Sequence, residues 1–256
     1  MEENKNTPTE EVEVGKQSFT KWLDNYLYHY KWHTIAVIFV LVVAIVCTVQ
    51  LFNRSDYDAV IAYAGSKNVS KKAENGDVAE IVTIQSSLKD VVYDVDENGE
   101  ISISVEALFW LSSQEIAALE AELAEKRENG ETPEEINYSL LTSNYTTVDN
   151  LMLSGEYFLW FMSDDLYNYI NGKSDVNRFV DLSAMPEGDT AVEFYGEDTC
   201  AVYLKSTEFY KMPGICDLPD DTLVVVRRLG VGNNKSTKRA YEAALDFAKE
   251  IINYEY

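Results

Sequence analysis

The most informative gap in this 256-residue chain is histidine, which does not occur after residue 33. Its two histidines, His29 and His33, stand directly in front of a long apolar run. A C-terminal region without histidine contains no Ser-His-Asp or Cys-His catalytic arrangement of its own, and no histidine-ligated zinc site. The phosphate-binding patterns G-x-G-x-x-G and G-x-x-x-x-G-K-[ST] are also absent. We therefore expect a protein that is not an enzyme and that needs no cofactor.

Positive charge is scarce as well. The chain has 21 lysines and arginines against 44 aspartates and glutamates, a formal net charge of −23. Proteins that bind nucleic acids through the phosphate backbone need a basic surface, so the composition argues against a nucleic-acid partner. An acidic surface keeps a protein soluble, and it attracts cations such as calcium or basic peptides.

Cysteine is limited to Cys47, Cys200 and Cys216. Outside the cytoplasm Cys200 and Cys216 can form one disulfide bond, whereas inside it they stay reduced. A sequence alone does not show whether their Cα atoms lie within bridging distance, so both states remain open.

A long apolar run is the clearest feature that is present. Residues 34–52 carry no charge, and Thr34, Thr48 and Gln50 are their only polar members. As a helix the run spans roughly 29 Å, close to the hydrocarbon thickness of a bilayer. Aromatic residues with polar tips, which favour the membrane–water interface, precede it. The predicted interface residues are Trp22, Tyr26, Tyr30 and Trp32.

Two other interpretations of the run are weaker. A cleaved signal peptide has a short basic start and an exit of small residues, whereas here 33 residues of mixed charge precede the run. A lipoprotein interpretation at Cys47 is disfavoured because Val46 precedes it and the apolar run continues. We therefore predict a permanent single-pass anchor. It divides the chain into an N-terminal tail (1–33), a transmembrane helix (34–52) and a C-terminal domain (53–256).

The orientation is not decided by lysine and arginine counts, which are similar on the two sides of the run. We expect the N-terminus in the cytoplasm and the domain outside it, at the cell membrane.

Local patterns after the anchor alternate between strands and helices. "DAVIAYAG" and "DTLVVVRRL" are typical of buried strands, Ser112 and Glu115 form a capping box, and residues 237–254 favour an amphipathic helix. Asn98-Gly99 and Gly196-Glu197 favour hairpins. A helix is expected from Pro133, and residues 148–162 favour two strands joined at Ser154-Gly155. A short helix capped by Ser163 and ending near Gly172 should follow them. The mixture predicts an α/β fold, a mixed sheet with flanking helices, preceded by one transmembrane helix.

One acidic stretch begins like a calcium loop. Asp94, Asp96, Asn98 and Gly99 stand at positions 1, 3, 5 and 6 of the pattern, but position 12 is Val105 instead of a bidentate glutamate. A hairpin turn accounts for the same residues and is the better interpretation. If a metal binds there, we expect weakly bound calcium.

The aromatic stretch 157–169 supplies the candidate ligand-binding residues Tyr157, Trp160 and Tyr167. Because alternate residues of a strand must face inward, core packing explains most of these rings equally well or better. Nearby acids, Glu156 with Asp164 or Asp165, leave open a carboxylate pair for glycoside hydrolysis, although acids also favour the first turn of a helix.

Several segments taken together carry a family resemblance. The "DNYLYHYKWHT" lead, the single helix and the "DAVIAYAG" strand resemble uncharacterised single-pass envelope proteins of anaerobic Gram-positive bacteria. "LSGEYFLWFMSDDLYNYI", "CAVYLKSTEFY" and "LPDDTLVVVRR" are similar to stretches of extracytoplasmic solute-binding proteins. The resemblance implies a one-lobe, solute-binding-like fold outside the cytoplasm, and it supplies no catalytic residues.

These observations favour a non-catalytic, membrane-anchored binding domain for a solute, a peptide or an envelope protein. The alternatives are an accessory or regulatory subunit of a membrane transport or secretion complex, and a carboxylate-pair hydrolase.

Overall fold

The computed structural model describes residues 19–52, 57–70, 80–173, 177–230 and 235–256. The chain divides into two units, residues 1–55 and 56–256.

The first unit contains one helix, α1, which spans Phe19–Phe52. Its segment Tyr28–Thr48 has a mean hydropathy of 2.1 and is the one stretch of the described chain that is long and apolar enough to cross a membrane. Thr34 and Thr48 do not interrupt the helix, because each hydroxyl donates to the carbonyl oxygen four residues earlier, at 3.1 and 2.7 Å. This finding is consistent with the predicted anchor.

The second unit is a mixed α/β domain, as predicted. Its strands are β1 (Ala59–Gly65), β2 (Ile103–Phe109), β3 (Leu159–Ser163), β4 (Phe194–Tyr195), β5 (Asp198–Tyr203) and β6 (Thr222–Val226). Its helices are α2 (Glu80–Leu88), α3 (Ser113–Glu128), α4 (Tyr138–Ser154), α5 (Asp164–Gly172) and α6 (Lys235–Ile252). Two short 3₁₀ turns lie between β5 and β6.

The six strands form one sheet in the order β2-β1-β3-β6-β5-β4. β1 pairs in parallel with both β2 and β3, whereas β6 is antiparallel to β3 and to β5. Parallel neighbours must be joined by crossovers, and the chain uses α2 between β1 and β2, then α3 and α4 between β2 and β3. The central strands are therefore covered on both faces.

Alternate residues of these strands enter two separate cores. Ile61 of β1 and Phe161 of β3 pack in a cluster with Leu88 of α2 and with Phe247 and Ile251 of α6. On the opposite face, the second cluster contains Ala62, Trp160, Leu223, residues Val148 and Met152 of α4, and residues Leu166 and Ile170 of α5. Two buried faces explain why β3 and β6 are apolar at nearly every position instead of alternating.

Helix ends confirm several local predictions. Ser112 caps α3 through the N–H of Glu115, and the Glu115 carboxylate accepts the N–H of Ser112 in return. The Ser163 hydroxyl accepts the N–H of Leu166 at the start of α5. The hairpin predicted at Gly196-Glu197 is present as β4 and β5.

Three local predictions were wrong. The Asn98-Gly99 turn does not close a hairpin; it connects α2 to β2, whose partner is the parallel strand β1. Residues 138–154 form α4, so the strand expected near residue 150 is a helix that ends at Gly155 in a left-handed conformation, φ 75°. That helix begins after Asn137, whose side chain accepts the N–H of Leu140, and not at Pro133. Leu141, Val148 and Met152 of α4 are buried at helical spacing, and this packing outweighed the local alternation.

The cysteines are not bridged in the described structure. Cys200 is buried in β5, where the Asn177 side-chain amide lies 3.1 Å from its sulfur, and Cys216 is exposed. Burial raises the pKa of the Cys200 thiol to about 11, so this thiol is a core residue and not a reactive one.

Candidate functional site

The carboxyl ends of the parallel strands define the candidate site. After Gly65 the chain leaves β1 for α2 on one face of the sheet, and after Ser163 it leaves β3 for α5 on the other. Neighbouring strands whose connections depart to opposite faces leave a crevice between them, called a topological switch point. Ligands of open α/β sheets bind at such points. We name this region, between the ends of β1 and β3 together with the start of β6, the carboxyl edge.

Two aspartates stand next to each other at the carboxyl edge. Ser163 of β3 pairs with Thr222 of β6, so Asp164 directly follows one partner and Asp221 directly precedes the other. Both side chains are half-buried. Burial raises the pKa of Asp164, and burial followed by the charge of Asp164 raises the pKa of Asp221. Burial thus opposes the ionisation of both carboxyl groups, and the charge of Asp164 adds to this effect at Asp221.

No lysine or arginine in the described part of the chain forms an ion pair with Asp164 or Asp221. Lys67, which follows β1, already has other partners. Its Nζ lies 2.9 Å from a carboxylate oxygen of Glu80 and donates to the carbonyl oxygen of Asp217 at 2.9 Å. Backbone N–H groups do act on both carboxylates, that of Asp165 on Asp164 and that of Asp221 on its own side chain.

A buried hydroxyl without a partner lies at the same edge. Tyr63 of β1 is 1% exposed, and no described group hydrogen-bonds its hydroxyl. A Cβ atom added to Gly65 would lie 2.9 Å from that oxygen, so the hydroxyl sits beside the last residue of β1. Burial raises its pKa, helped by the charges of Asp221, Glu80 and Glu115 and opposed by the nearby backbone N–H of Lys67, which does not reach hydrogen-bonding geometry. A buried, unpaired hydroxyl costs stability and needs an explanation.

The predicted aromatic residues occupy other places. Trp160 and Tyr167 are 0% and 1% exposed and belong to the core between the sheet, α4 and α5. Their polar atoms are used internally, because Trp160 Nε1 donates to the Tyr157 carbonyl oxygen at 3.1 Å and the Tyr167 hydroxyl to Asp198 at 2.6 Å. The structure brings Tyr157 and Trp160 together, with ring centroids 6.3 Å apart, and places Tyr167 against Phe179, at 5.0 Å.

The structure does not place together the acids that flank the aromatic stretch, and a carboxylate-pair hydrolase stays an untested alternative. Glu156 precedes β3 and Asp164 and Asp165 follow it, at opposite ends of a five-residue strand. Such a strand is roughly 16 Å long, whereas glycosidase pairs lie about 5–10 Å apart.

The opposite, amino edge carries a second acidic cluster, and this one includes the predicted calcium loop. Ligand oxygens of Asp58, Asp94 and Asp96 lie within 4.8 Å of one another, so these three carboxylates are the described residues that could hold a metal ion. Asp58 was not singled out from the sequence, because it precedes β1 and reaches the loop only through the fold.

Backbone donors already satisfy most of this cluster. The buried Asp58 carboxylate accepts the N–H groups of Val95 and Ser102 at 2.7 and 2.8 Å. The N–H groups of Gly99 and then Asn98 lower the pKa of Asp94. The Asn98 side chain is engaged too, since its oxygen accepts the Glu100 N–H and its amide donates to Asp96. These bonds hold the loop by themselves, and the calcium site remains a prediction.

A small pocket beside this cluster is lined by Tyr57, Asp58, Glu156, Phe158 and Phe247. Its volume of ≈ 30 Å³ is room for one or two water molecules. It is too small to hold a drug-sized ligand.

In α1, three of the predicted interface residues form a ladder at four-residue spacing. The rings of Trp22 and Tyr26 stack at 5.7 Å, and those of Tyr26 and Tyr30 at 5.3 Å. Trp32 is not part of this ladder, and its side chain is 72% exposed. Their contact with a membrane interface stays a prediction.

No protein-family model, curated protein or solved structure matches this chain.

Proposed function

We propose that this chain is a membrane-anchored binding protein. Its helix α1 crosses the cell membrane with the N-terminus in the cytoplasm, and its α/β domain binds a solute, a peptide or an envelope partner outside without transforming it. The observation that supports this proposal is the carboxyl edge, a switch point where the half-buried Asp164 and Asp221 flank the last paired residues of β3 and β6, and where Tyr63 of β1 has a buried hydroxyl without a partner among the described residues. Burial of polar groups without partners costs free energy, so core packing alone does not account for these groups.

A non-catalytic role is favoured by the placement of the two carboxyl groups. Asp164 and Asp221 flank one pair of hydrogen-bonded residues, Ser163 and Thr222, on neighbouring strands. Hydrolases of the carboxylate-pair class instead hold their two groups on opposite sides of the scissile bond. Two adjacent carboxylates on one wall are suited to holding a ligand group.

The first test concerns orientation. Intact cells stripped of their wall are treated with protease, and the chain is detected with an antibody against its C-terminus. Loss of the C-terminal signal while a cytoplasmic control protein survives supports the proposal. Protection of the domain until the cells are lysed contradicts an external binding function.

The second test concerns the site. Full-length protein in detergent is screened by intrinsic fluorescence against solutes and peptides, in parallel with the double variant Asp164→Asn, Asp221→Asn. We expect ligands that bind the unaltered chain to lose at least tenfold in affinity with the double variant. The single variant Asp181→Asn, which changes an exposed aspartate of the same domain, should bind as the unaltered chain does. Equal binding by all three proteins contradicts the carboxyl-edge site.

A further inference from the structure

The outermost strand on one side of the sheet is β2, which pairs with β1 along its full length. Two backbone contacts show which of its residues face β1. The Ser102 carbonyl oxygen accepts the Asp58 N–H at 2.9 Å, and the Trp110 N–H donates to the Gly65 carbonyl oxygen at 2.9 Å. Because successive residues of a strand present their backbone groups to opposite sides, the even-numbered residues of β2 face β1 and the odd-numbered residues face away from it.

Side chains from the two covering helices bond the two ends of this outward row. The Gln85 side-chain amide of α2 donates to the Ile103 carbonyl oxygen at 3.4 Å, and the Asn144 side-chain amide of α4 donates to the Phe109 carbonyl oxygen at 2.8 Å. Between these two carbonyl groups, the outward N–H and C=O groups within residues 104–108 bond no described group. Such a row of unpaired backbone groups is a template for another strand.

Each covering helix also places an exposed apolar side chain beside this row. Val82 of α2 precedes Gln85 by three residues and is 49% exposed, and Leu140 of α4 precedes Asn144 by four residues and is 41% exposed. Residues three or four apart lie on the same side of a helix, so each apolar side chain lies on the side that bonds β2. The helices cover opposite faces of the sheet, so an added strand would meet an apolar side chain on each face.

We name this surface, the outward backbone of β2 together with Val82 and Leu140, the β2 flank. Glu106, the middle residue of β2, determines which strand fits it. The side chain is half-buried and forms no ion pair with a described lysine or arginine. If two copies of β2 paired in antiparallel about their centres, the two Glu106 side chains would stand directly opposite each other, and like charges in that position are destabilising. A lysine or arginine in the opposite position would instead form a cross-strand ion pair.

We infer that the β2 flank binds an extended, positively charged segment of a partner protein, which adds to the sheet as a further strand beside β2. Main-chain hydrogen bonds to Val105 and Ala107 give the affinity, and Glu106 with the two apolar side chains gives the specificity. The net charge of −23 attracts such a segment and repels a second copy of the chain. This inference goes beyond the proposed function, because it assigns a second surface that is separate from the carboxyl edge.

Fluorescence anisotropy with the full-length chain in a neutral detergent tests the inference. The probe is the fluorescein-labelled peptide Thr-Lys-Val-Lys-Val-Lys-Thr-amide. A second peptide carries glutamate in place of lysine, and a third keeps the lysines but has a methyl group on every backbone nitrogen. The third peptide retains the charge and the side chains but has no main-chain N–H to donate. We expect the glutamate peptide and the methylated peptide each to bind at least tenfold more weakly than the probe.

Variants of the chain test the same contacts from the other side. Ala107→Pro removes an outward N–H, a change that outermost strands tolerate, and should weaken the probe about tenfold. Glu106→Gln should weaken it about twofold to fivefold. Glu197→Gln changes an exposed glutamate in the turn between β4 and β5, on the opposite side of the sheet, and should leave the affinity within about twofold. Each variant should retain a cooperative thermal transition. If Ala107→Pro does not, the methylated peptide tests the main-chain bonds on the unaltered chain.

Several outcomes overturn the inference. Equal binding of the probe and the methylated peptide would show charge attraction without strand pairing. Equal binding of the lysine and glutamate peptides would remove the positively charged partner, and so would failure of all three peptides to bind. Sedimentation that detects a dimer of the full-length chain, abolished by Ala107→Pro, would identify a second copy as the occupant. The double variant Asp164→Asn, Asp221→Asn should bind the probe normally, so the β2 flank and the carboxyl edge can fail separately.

Discussion

The two edges of the sheet place aspartate side chains in opposite environments. At the amino edge, the buried Asp58 carboxylate receives backbone N–H groups from Val95 and Ser102, and it ties the loop after α2 to the start of β1. At the carboxyl edge, Asp164 and Asp221 are half-buried beside each other without a basic partner among the described residues.

The difference separates acids that stabilise the fold from acids that destabilise it. A carboxylate surrounded by N–H donors is stabilised in its charged form, as the lowered pKa of Asp94 shows. A carboxylate that is half-buried and lies beside another carboxylate is destabilised in its charged form, as the raised pKa of Asp221 shows. The first arrangement stabilises the fold, whereas the second costs stability, and such costs cluster at binding sites.

Asp58→Ala should have the largest effect on stability. The substitution leaves two buried N–H groups without an acceptor, and we expect the free energy of unfolding to fall by about 3 kcal/mol. Chemical denaturation of the full-length protein in detergent measures it. Asp96→Ala, which removes an exposed carboxylate of the same loop, is the matched control and should cost less than about 1 kcal/mol. Equal losses would contradict the structural role assigned to Asp58.

Gly65→Ala should come second. The new methyl group would lie 2.9 Å from the Tyr63 hydroxyl oxygen, at the end of a buried ring that cannot move freely, so we expect a loss of about 2 kcal/mol. In the Tyr63→Phe background the same substitution should cost less, because the contacted oxygen is gone. A double-mutant cycle with no coupling between positions 63 and 65 would refute this geometry.

Tyr63→Phe should stabilise the chain, by about 1 kcal/mol, because it removes a buried hydroxyl that lacks a partner. Tyr167→Phe is the opposite case: its hydroxyl donates to Asp198 at 2.6 Å, so we expect a loss of about 1–2 kcal/mol. The direction in which each substitution shifts the denaturation midpoint tests both expectations. Destabilisation by Tyr63→Phe would mean that the hydroxyl has an acceptor in the folded chain.

Asp221→Asn should give the smallest change, a gain of less than about 1 kcal/mol at neutral pH. Because the folded chain retains the Asp221 proton to a higher pH than the unfolded chain, ionisation of Asp221 reduces stability as the pH rises from the ordinary value of 3.8 through the raised one. The advantage of asparagine should therefore be present at about pH 7 and vanish below about pH 3.8.

Asp181→Asn should show the reverse sign. Hydrogen bonds from Ser183 lower the pKa of Asp181, so its contribution is present above the ordinary value and is lost as the pH falls through the lowered one. Denaturation midpoints across this pH range compare the two variants. The same sign for both would remove the distinction between compensated and uncompensated aspartates.

Local patterns predicted much of the fold but not the meeting of distant residues. The capping box at Ser112 and Glu115 and the apolar strand that became β6 depend on neighbours in the sequence, and both were predicted. The last part of α4, from residue 148, was mistaken for a strand, because its apolar residues fit either structure. Tyr63 and Asp221 lie at the same edge of the sheet only because β1 pairs with β3 and β3 pairs with β6. No local sequence signal predicts this pairing.

The packing of α6 has a consequence for how the domain is made. Phe247 and Ile251 share one core with Ile61 of β1, although α6 follows all six strands in the chain. One apolar face of β1, the first strand to be synthesised, therefore stays only partly covered until residues near 252 have emerged. Native contacts between such distant segments form slowly, and a chain in that state is prone to aggregation. The domain should thus complete its folding only after synthesis has passed α6, and not progressively from its N-terminal side.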